Sequence, residues 1–203
     1  MSADQRLKKA DKILDSIRMG LQRAIALHEM WARCADKRDI LDRMDRSNEG
    51  FGFGVVRDAI HRDLVATLLT VVLPGQDTSA SIPALLDIVE DRSVVHLMKE
   101  RSTQPKTVEE RIKSAKAKFD SLVKSREVGT LRTVRNKLIA HIVYNNVAHG
   151  AKYGDERKVL EQAIPTFEDL ALAVKDRDFG LKAKPHQWRR HAEAFWTHVA
   201  GSR

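Results

Sequence analysis

A single cysteine, Cys34, occurs in the chain, which excludes an internal disulfide and any metal site built from several thiolates. A lone thiol suits a reducing compartment, so a cytoplasmic location is expected. Aromatic residues make up only 5%, and five prolines and ten glycines give few turn signals, which argues against a turn-rich β-sandwich. Period-two alternation of apolar residues is missing, and so is any internal repeat. The longest apolar run, Leu64–Pro74, falls well short of the ~18 residues that a transmembrane helix needs. The opening MSADQRLKKAD is charged throughout and has no apolar stretch of the signal-peptide kind. Neither membrane association nor a targeting segment is expected.

What remains is a chain with 42% hydrophobic and 32% charged residues, a globular balance. At 203 residues it predicts one domain, 1–203, with a core bundle over about 3–146 and C-terminal helices over about 160–200. A chain of this length buries about 70% of its unfolded surface without staples. The net charge is +8, and it is unevenly spread. Residues 1–91 carry 13 basic and 15 acidic side chains, residues 92–158 carry 16 and 7, and residues 159–203 carry 7 and 6. The middle third therefore holds a local excess of +9, larger than the total. Such an excess attracts polyanions through steering and counterion release, although it also serves plain solubility.

The apolar periodicity is helical throughout. Leu7, Ala10, Leu14, Ile17, Leu21, Ala24, His28 and Trp31 alternate at three and four residues, which predicts a long amphipathic helix from Ala3 to about Ala35. Residues 36–46 interleave Asp with Arg and Lys and read as a salt-bridged helical extension rather than a metal site. Residues 50–54 (GFGFG) read as a loop and hinge with two aromatic plugs. They lack the GK[ST] of a phosphate loop and the preceding strand of a dinucleotide fingerprint. A helix over about 55–73 follows, with Val56, Ile60, Leu64, Leu68 and Val72 as its core face and a stop at Pro74-Gly75. His61 is expected on the surface or between helices. Ser81 is placed to cap a short helix with Pro83 in its first turn and Leu85, Leu86, Ile88 and Val89 inward. Thr107 and Glu110 form a capping-box pattern for a helix to about Arg126, with the stripe Val108, Ile112, Ala115, Phe119, Leu122. Gly129-Thr130 reads as a break before a helix reaching about Asn146. After a loop at 148–155, helices follow at about 166–174, beyond Pro165, and at about 187–199.

One stretch looks chemical: LRTVRNKLIAHIVYN, residues 131–145. At about 100° per residue, Leu131, Val134, Leu138 and Ile142 form a buried stripe. Arg135 and His141 flank that stripe about 120° apart. A single straight helix does not bring them together; a bend, or a second copy of the chain across a two-fold axis, does. The chemistry the pair supports is phosphoryl transfer on RNA without a metal. A histidine moves a proton near neutral pH, an arginine fork stabilises charge on the phosphorus centre, and the RNA 2′-hydroxyl supplies the nucleophile. Asn136 is placed to orient a phosphate oxygen or the histidine. Arg132, Lys137, Tyr144, Lys113 and Lys116 are the candidate RNA-binding residues, and neither a metal nor another cofactor is expected.

The motif Arg135-Asn136, four residues, His141 resembles that of the HEPN superfamily, and LRTVRNKLIAHIV is most similar to its abortive-infection branch. The resemblance implies an all-α, HEPN-like up-and-down helical bundle with extra peripheral helices. It also implies a homodimer with the Arg and His of each protomer lining a shared cleft, acting as a metal-independent endoribonuclease in prokaryotic defence or beside an antitoxin or regulatory protein. In toxins paired with a nucleotidyltransferase antitoxin, a modified Tyr lies two residues after the His. Here that position is Val143 and Tyr144 is one further on, a departure from that pattern. Two alternatives belong to other classes: a non-catalytic RNA- or nucleotide-binding member of the fold, and a helical adaptor that holds a partner through its Trp-rich terminal segment.

The other candidates carry less. His186 and His191 are five apart, not the four that a helical zinc site favours. The terminal helix with Trp188, Phe195 and Trp196 serves core or dimer packing, with nucleic-acid stacking as the alternative. His28-Glu29 begins like a zincin motif, but Ala32 takes the second His position. Cys34 is expected to be a small core residue.

Overall fold

Helix α1, Ala3–Asp36, is the axle of the fold, and its buried stripe explains its length. Leu7, Ala10, Leu14, Ile17, Leu21, Ala24 and Ile25 are all buried, and each large side chain among them contributes about 1.5–3 kcal/mol by leaving water. The computed structural model describes residues 1–36, 40–42, 50–73, 80–140 and 154–201, with backbone alone at 36, 137–140 and 200–201. Around α1 lie α2 (Gly50–Val72), α3 (Ile82–Val89), α4 (Arg92–Arg101), α5 (Val108–Val123), α6 (Arg126–Ala140), α7 (Asp155–Lys175) and α8 (Lys184–Gly201). Two short 3₁₀ turns, Pro105–Thr107 and Leu181–Ala183, join neighbours, and no strand occurs among the described residues. The architecture is an all-α bundle. Helix α1 packs against α2, α8, α7, α3 and α4, while α5 lies along α7, and α6 is wedged between α2 and α7.

Polar contacts fix these pairings. Along α5 and α7, Asp169 accepts from Ser114 Oγ at 2.7 Å and from Lys118 Nζ at 2.6 Å, and Arg111 donates to the Leu172 carbonyl at 3.1 Å. Asp176 ends α7 in the left-handed conformation (φ 50°), which aspartate tolerates better than most residues. Burial alone would raise its pKa, yet hydrogen bonds from Thr103 N–H and from the Ser102 and Thr103 hydroxyls hold its carboxyl below the usual range. Gly20 marks a close helix crossing, since a Cβ there would lie 2.9 Å from Val71 Cγ2.

Several expectations hold and several need correction. Ser81 caps α3, with its Oγ accepting from Ala84 N at 3.4 Å, and Leu85, Leu86 and Val89 are buried while Ile88 is partly so. Residues 50–54 are helical rather than a loop. Phe53 is buried with its ring 5.3 Å from Trp196, and this packing overrides the weak helix propensity of glycine. Phe51 is 87% exposed, so there is one aromatic plug and not two, and Val56 is exposed rather than on the core face. The capping box at Thr107 does not form: Thr107 closes a 3₁₀ turn, and its hydroxyl donates back to the Gln104 carbonyl at 2.9 Å. Its helix ends at Val123, short of Arg126. Gly129-Thr130 is not a break. Ser125 begins α6 instead, with its Oγ accepting from Val128 N at 3.3 Å, and Gly129 lies inside the helix. Pro165 is likewise inside α7 and not before it. Val159, Leu160, Ala163 and Ile164 precede it, and Phe167, Leu170 and Ala171 follow, all buried, so a continuous apolar face carries the helix through the missing N–H. The expected extension at 36–46, the stop at Pro74-Gly75 and the loop at 148–155 lie largely or wholly outside the described residues.

Candidate nucleic-acid site on helix α6

Helix α6 owes its orientation to three buried residues, Val128, Leu131 and Val134, spaced three apart on the face toward α2 and α7. That seating turns Arg132, Thr133 and Asn136 outward and leaves Arg135 half-buried at the margin of the stripe. Arg135 Nε and Nη2 both donate to Asn136 Oδ1, at 3.3 and 3.2 Å. The amide thus holds one edge of the guanidinium fork, and the remaining donors of the five a guanidinium carries stay available for an anion.

Carboxylates are distributed unevenly among the cations of residues 92–158. Lys116 pairs with Glu90 at 2.5 Å, Lys118 with Asp169 at 2.6 Å, Lys99 with Glu109 at 2.7 Å, Arg101 with Asp4 at 2.7 Å and Lys158 with Glu127 at 3.1 Å. The hydrogen bond to Glu90 pushes the Lys116 ammonium above its usual range. Among the described residues, Arg132 and Arg135 form no ion pair. Three of these pairs, Lys116–Glu90, Lys118–Asp169 and Arg101–Asp4, take carboxylates from outside residues 92–158 and so offset three charges of its excess of +9.

The candidate residues do not all converge. Lys113 and Lys116 line a groove of about 580 Å³ with Glu90, Arg92, Val95 and Ile112, between α4 and α5, to which α6 contributes nothing. His141 and Tyr144 lie outside the described residues, and of Lys137 only the helical backbone is described. Among the described residues no three His, Cys, Asp or Glu side chains group as metal ligands, and no helix is long and apolar enough to cross a membrane. His191 lies edge-on to Trp188, with ring centroids 5.8 Å apart. Cys34 is buried as expected, and burial pushes its thiol up to about 11.

A polar junction missed in the sequence lies where α7 begins. Glu156, whose side chain is 1% exposed, sets Oε1 2.6 Å from His61 Nε2, and the His61 imidazole stacks on Trp31 with centroids 4.7 Å apart. The second carboxylate oxygen meets no donor among the described residues. His61 is thus an interhelical histidine linking α1, α2 and α7, with a partner 95 positions away that no local spacing could reveal.

A long first helix, an apolar second one, short intervening helices and a late helix displaying Arg135-Asn136 are the layout of an HEPN-like domain. A family model described as AbiU2, of the HEPN kind, matches residues 7–195. The chain belongs to the AbiU2 family of abortive-infection HEPN-domain proteins. No curated protein and no solved structure matches it.

Proposed function

We propose that the chain is a metal-independent endoribonuclease of a prokaryotic defence or toxin–antitoxin system, with its site in a cleft shared by two protomers and 1–203 acting as one domain. The observation that carries this reading is Arg135: half-exposed, its fork steadied by Asn136, and without a carboxylate partner among the described residues. An arginine in that setting is poised for a phosphodiester. His141 acts as the proton-transfer group. It takes the proton of an RNA 2′-hydroxyl as that oxygen attacks the adjacent phosphorus, and a protonated histidine returns one to the departing 5′-oxygen. A 2′,3′-cyclic phosphate and a 5′-hydroxyl result. Arg135 stabilises the charge that builds on the phosphoryl oxygens. Because Arg135 and His141 are about 120° apart on an ideal helix, the partner copy completes the site.

Purified protein is expected to cut RNA in the presence of a chelator. His141→Ala and Arg135→Ala are each expected to lower the cleavage rate by about 100-fold or more, the range seen when proton-transfer or charge-stabilising groups are removed. Cleavage that survives His141→Ala would overturn the assignment.

A further inference from the structure

Helix α8 has two dissimilar long faces. One is turned onto α1: Trp196 and Ala192 are buried, Trp196 Nε1 donates to the Met30 carbonyl at 2.8 Å, Arg189 meets Glu29 at 3.0 Å, and Glu193 meets Arg33 at 2.7 Å. The other face is left uncovered. At about 100° per residue, Lys184, Trp188, His191, Phe195 and Val199 fall within a stripe of roughly 80°. Trp188 is 37% exposed and Phe195 46%, two turns apart, with His191 between them against the Trp188 ring. The stripe has no carboxylate, because the helix's one acidic residue, Glu193, is on the α1 side and already paired.

We propose that this stripe is a base-stacking platform for single-stranded RNA, feeding the cleft of the proposed ribonuclease; the choice of RNA as ligand rests on that reading. The uncovered parts of the two rings offer apolar surface to unpaired bases, Phe195 being steadied edge-on by Trp196 at 4.9 Å, and Lys184 supplies a cation beside them for a phosphate backbone. A second copy of this face is a poor occupant, since the stripe offers no carboxylate for Lys184 to meet. A partner helix is also poorly matched: aliphatic anchors of the groove-binding kind are missing, with Val199 the single aliphatic residue on the stripe.

The test uses full-length His141→Ala protein, so that the probe stays intact, and a short labelled oligouridine at low salt. Fluorescence anisotropy of Trp188→Ala/Phe195→Ala is expected to show binding about tenfold weaker or more, because each stacked base contributes that order of affinity. Trp188→Phe should keep most of the binding while removing the RNA-induced quenching of tryptophan emission, which a structural role would not do. Thermal melts of the variants measure the packing that each ring gives against His191 and Trp196, and a binding loss explained by loss of folded protein overturns the proposal. Unchanged affinity in the double variant overturns the proposal. A change of oligomeric state on sedimentation does so too, and assigns the face to a second copy. Weakened RNA binding in a chain that never cuts RNA would refute the ribonuclease and leave the platform standing; unaltered cleavage kinetics in the double variant on the active background would do the reverse.

Discussion

His61→Ala is the sharpest test of the polar junction. Glu156 is buried to 1% exposure at its side chain, and the imidazole is its one hydrogen-bonding partner among the described residues. Removing a single member of a buried ion pair or hydrogen-bonded charge costs about 3–5 kcal/mol, because the other is left desolvated and uncompensated. Loss of the stacked ring over Trp31 adds about 0.5–1.5 kcal/mol. We expect a total near 4 kcal/mol, taking the lower end of the pair term, since the His61 side chain keeps 12% of its exposure. For a chain of this size about 2–4 °C is lost per kcal/mol, so the melting temperature should fall by roughly 8–16 °C. Urea titration followed by far-ultraviolet circular dichroism gives the free energy directly. Adding Glu156→Gln to His61→Ala replaces the stranded charge with a neutral amide and should return about 2 kcal/mol. A loss below about 1 kcal/mol, or no recovery in the double variant, would show that Glu156 is not held as a buried charge and would refute the reasoning.

Two other outcomes follow from packing. Gly20→Ala should gain about 1 kcal/mol from helix propensity but lose about 1–3 kcal/mol to overpacking against Val71, for a net loss in urea titration. A favourable coupling with Val71→Ala in a double-mutant cycle checks the cause. Cys34, its thiol pushed up to about 11 by burial, should alkylate with iodoacetamide at least ~100-fold more slowly in the native protein than in urea.

The residues that were legible in sequence are those whose burial is set by local period. The seam of α1 from Leu7 to Ala24, the Leu131–Val134 face of α6 and the stripe of α5 bury as the spacing predicts, except that Phe119 of α5 and the seam's last members, His28 and Trp31, are only partly buried. What local pattern misjudged was punctuation. Residues 50–54, Gly129 and Pro165 carry residues that end helices in isolation, and each sits within a helix here. Their helices persist because the flanking apolar residues bury against distant elements, Phe53 on Trp196 and Ile164 and Phe167 in the main core. That stabilisation is tertiary and does not show in a short window. The candidate site was legible as a motif, Arg135-Asn136 on an amphipathic helix. Its electrostatic setting was not, since every neutralising contact but those along one helix joins residues far apart in the chain, such as Lys116 with Glu90 and Lys118 with Asp169.

That setting changes what the charge count means. An excess of +9 over residues 92–158 suggests a broad basic surface. In the fold, many of those cations are tie-bars between helices: Lys99 joins α4 to α5, Lys118 joins α5 to α7, and Lys158 joins α7 to α6. A cation already facing a carboxylate must give up that contact, or share it, before it can neutralise a phosphate, so its net contribution to RNA affinity is small. Among the described residues Arg132 and Arg135 on α6 and Lys184 on α8 form no ion pair, as is also so for Arg92, Lys106, Lys113 and Lys124; α6 bears one acid, Glu127, at its far end, and Glu193 of α8 is turned inward. The placement of acids, more than the number of bases, therefore selects where a polyanion can be held. On α6 and along the outer stripe of α8 it leaves cations open to a phosphate.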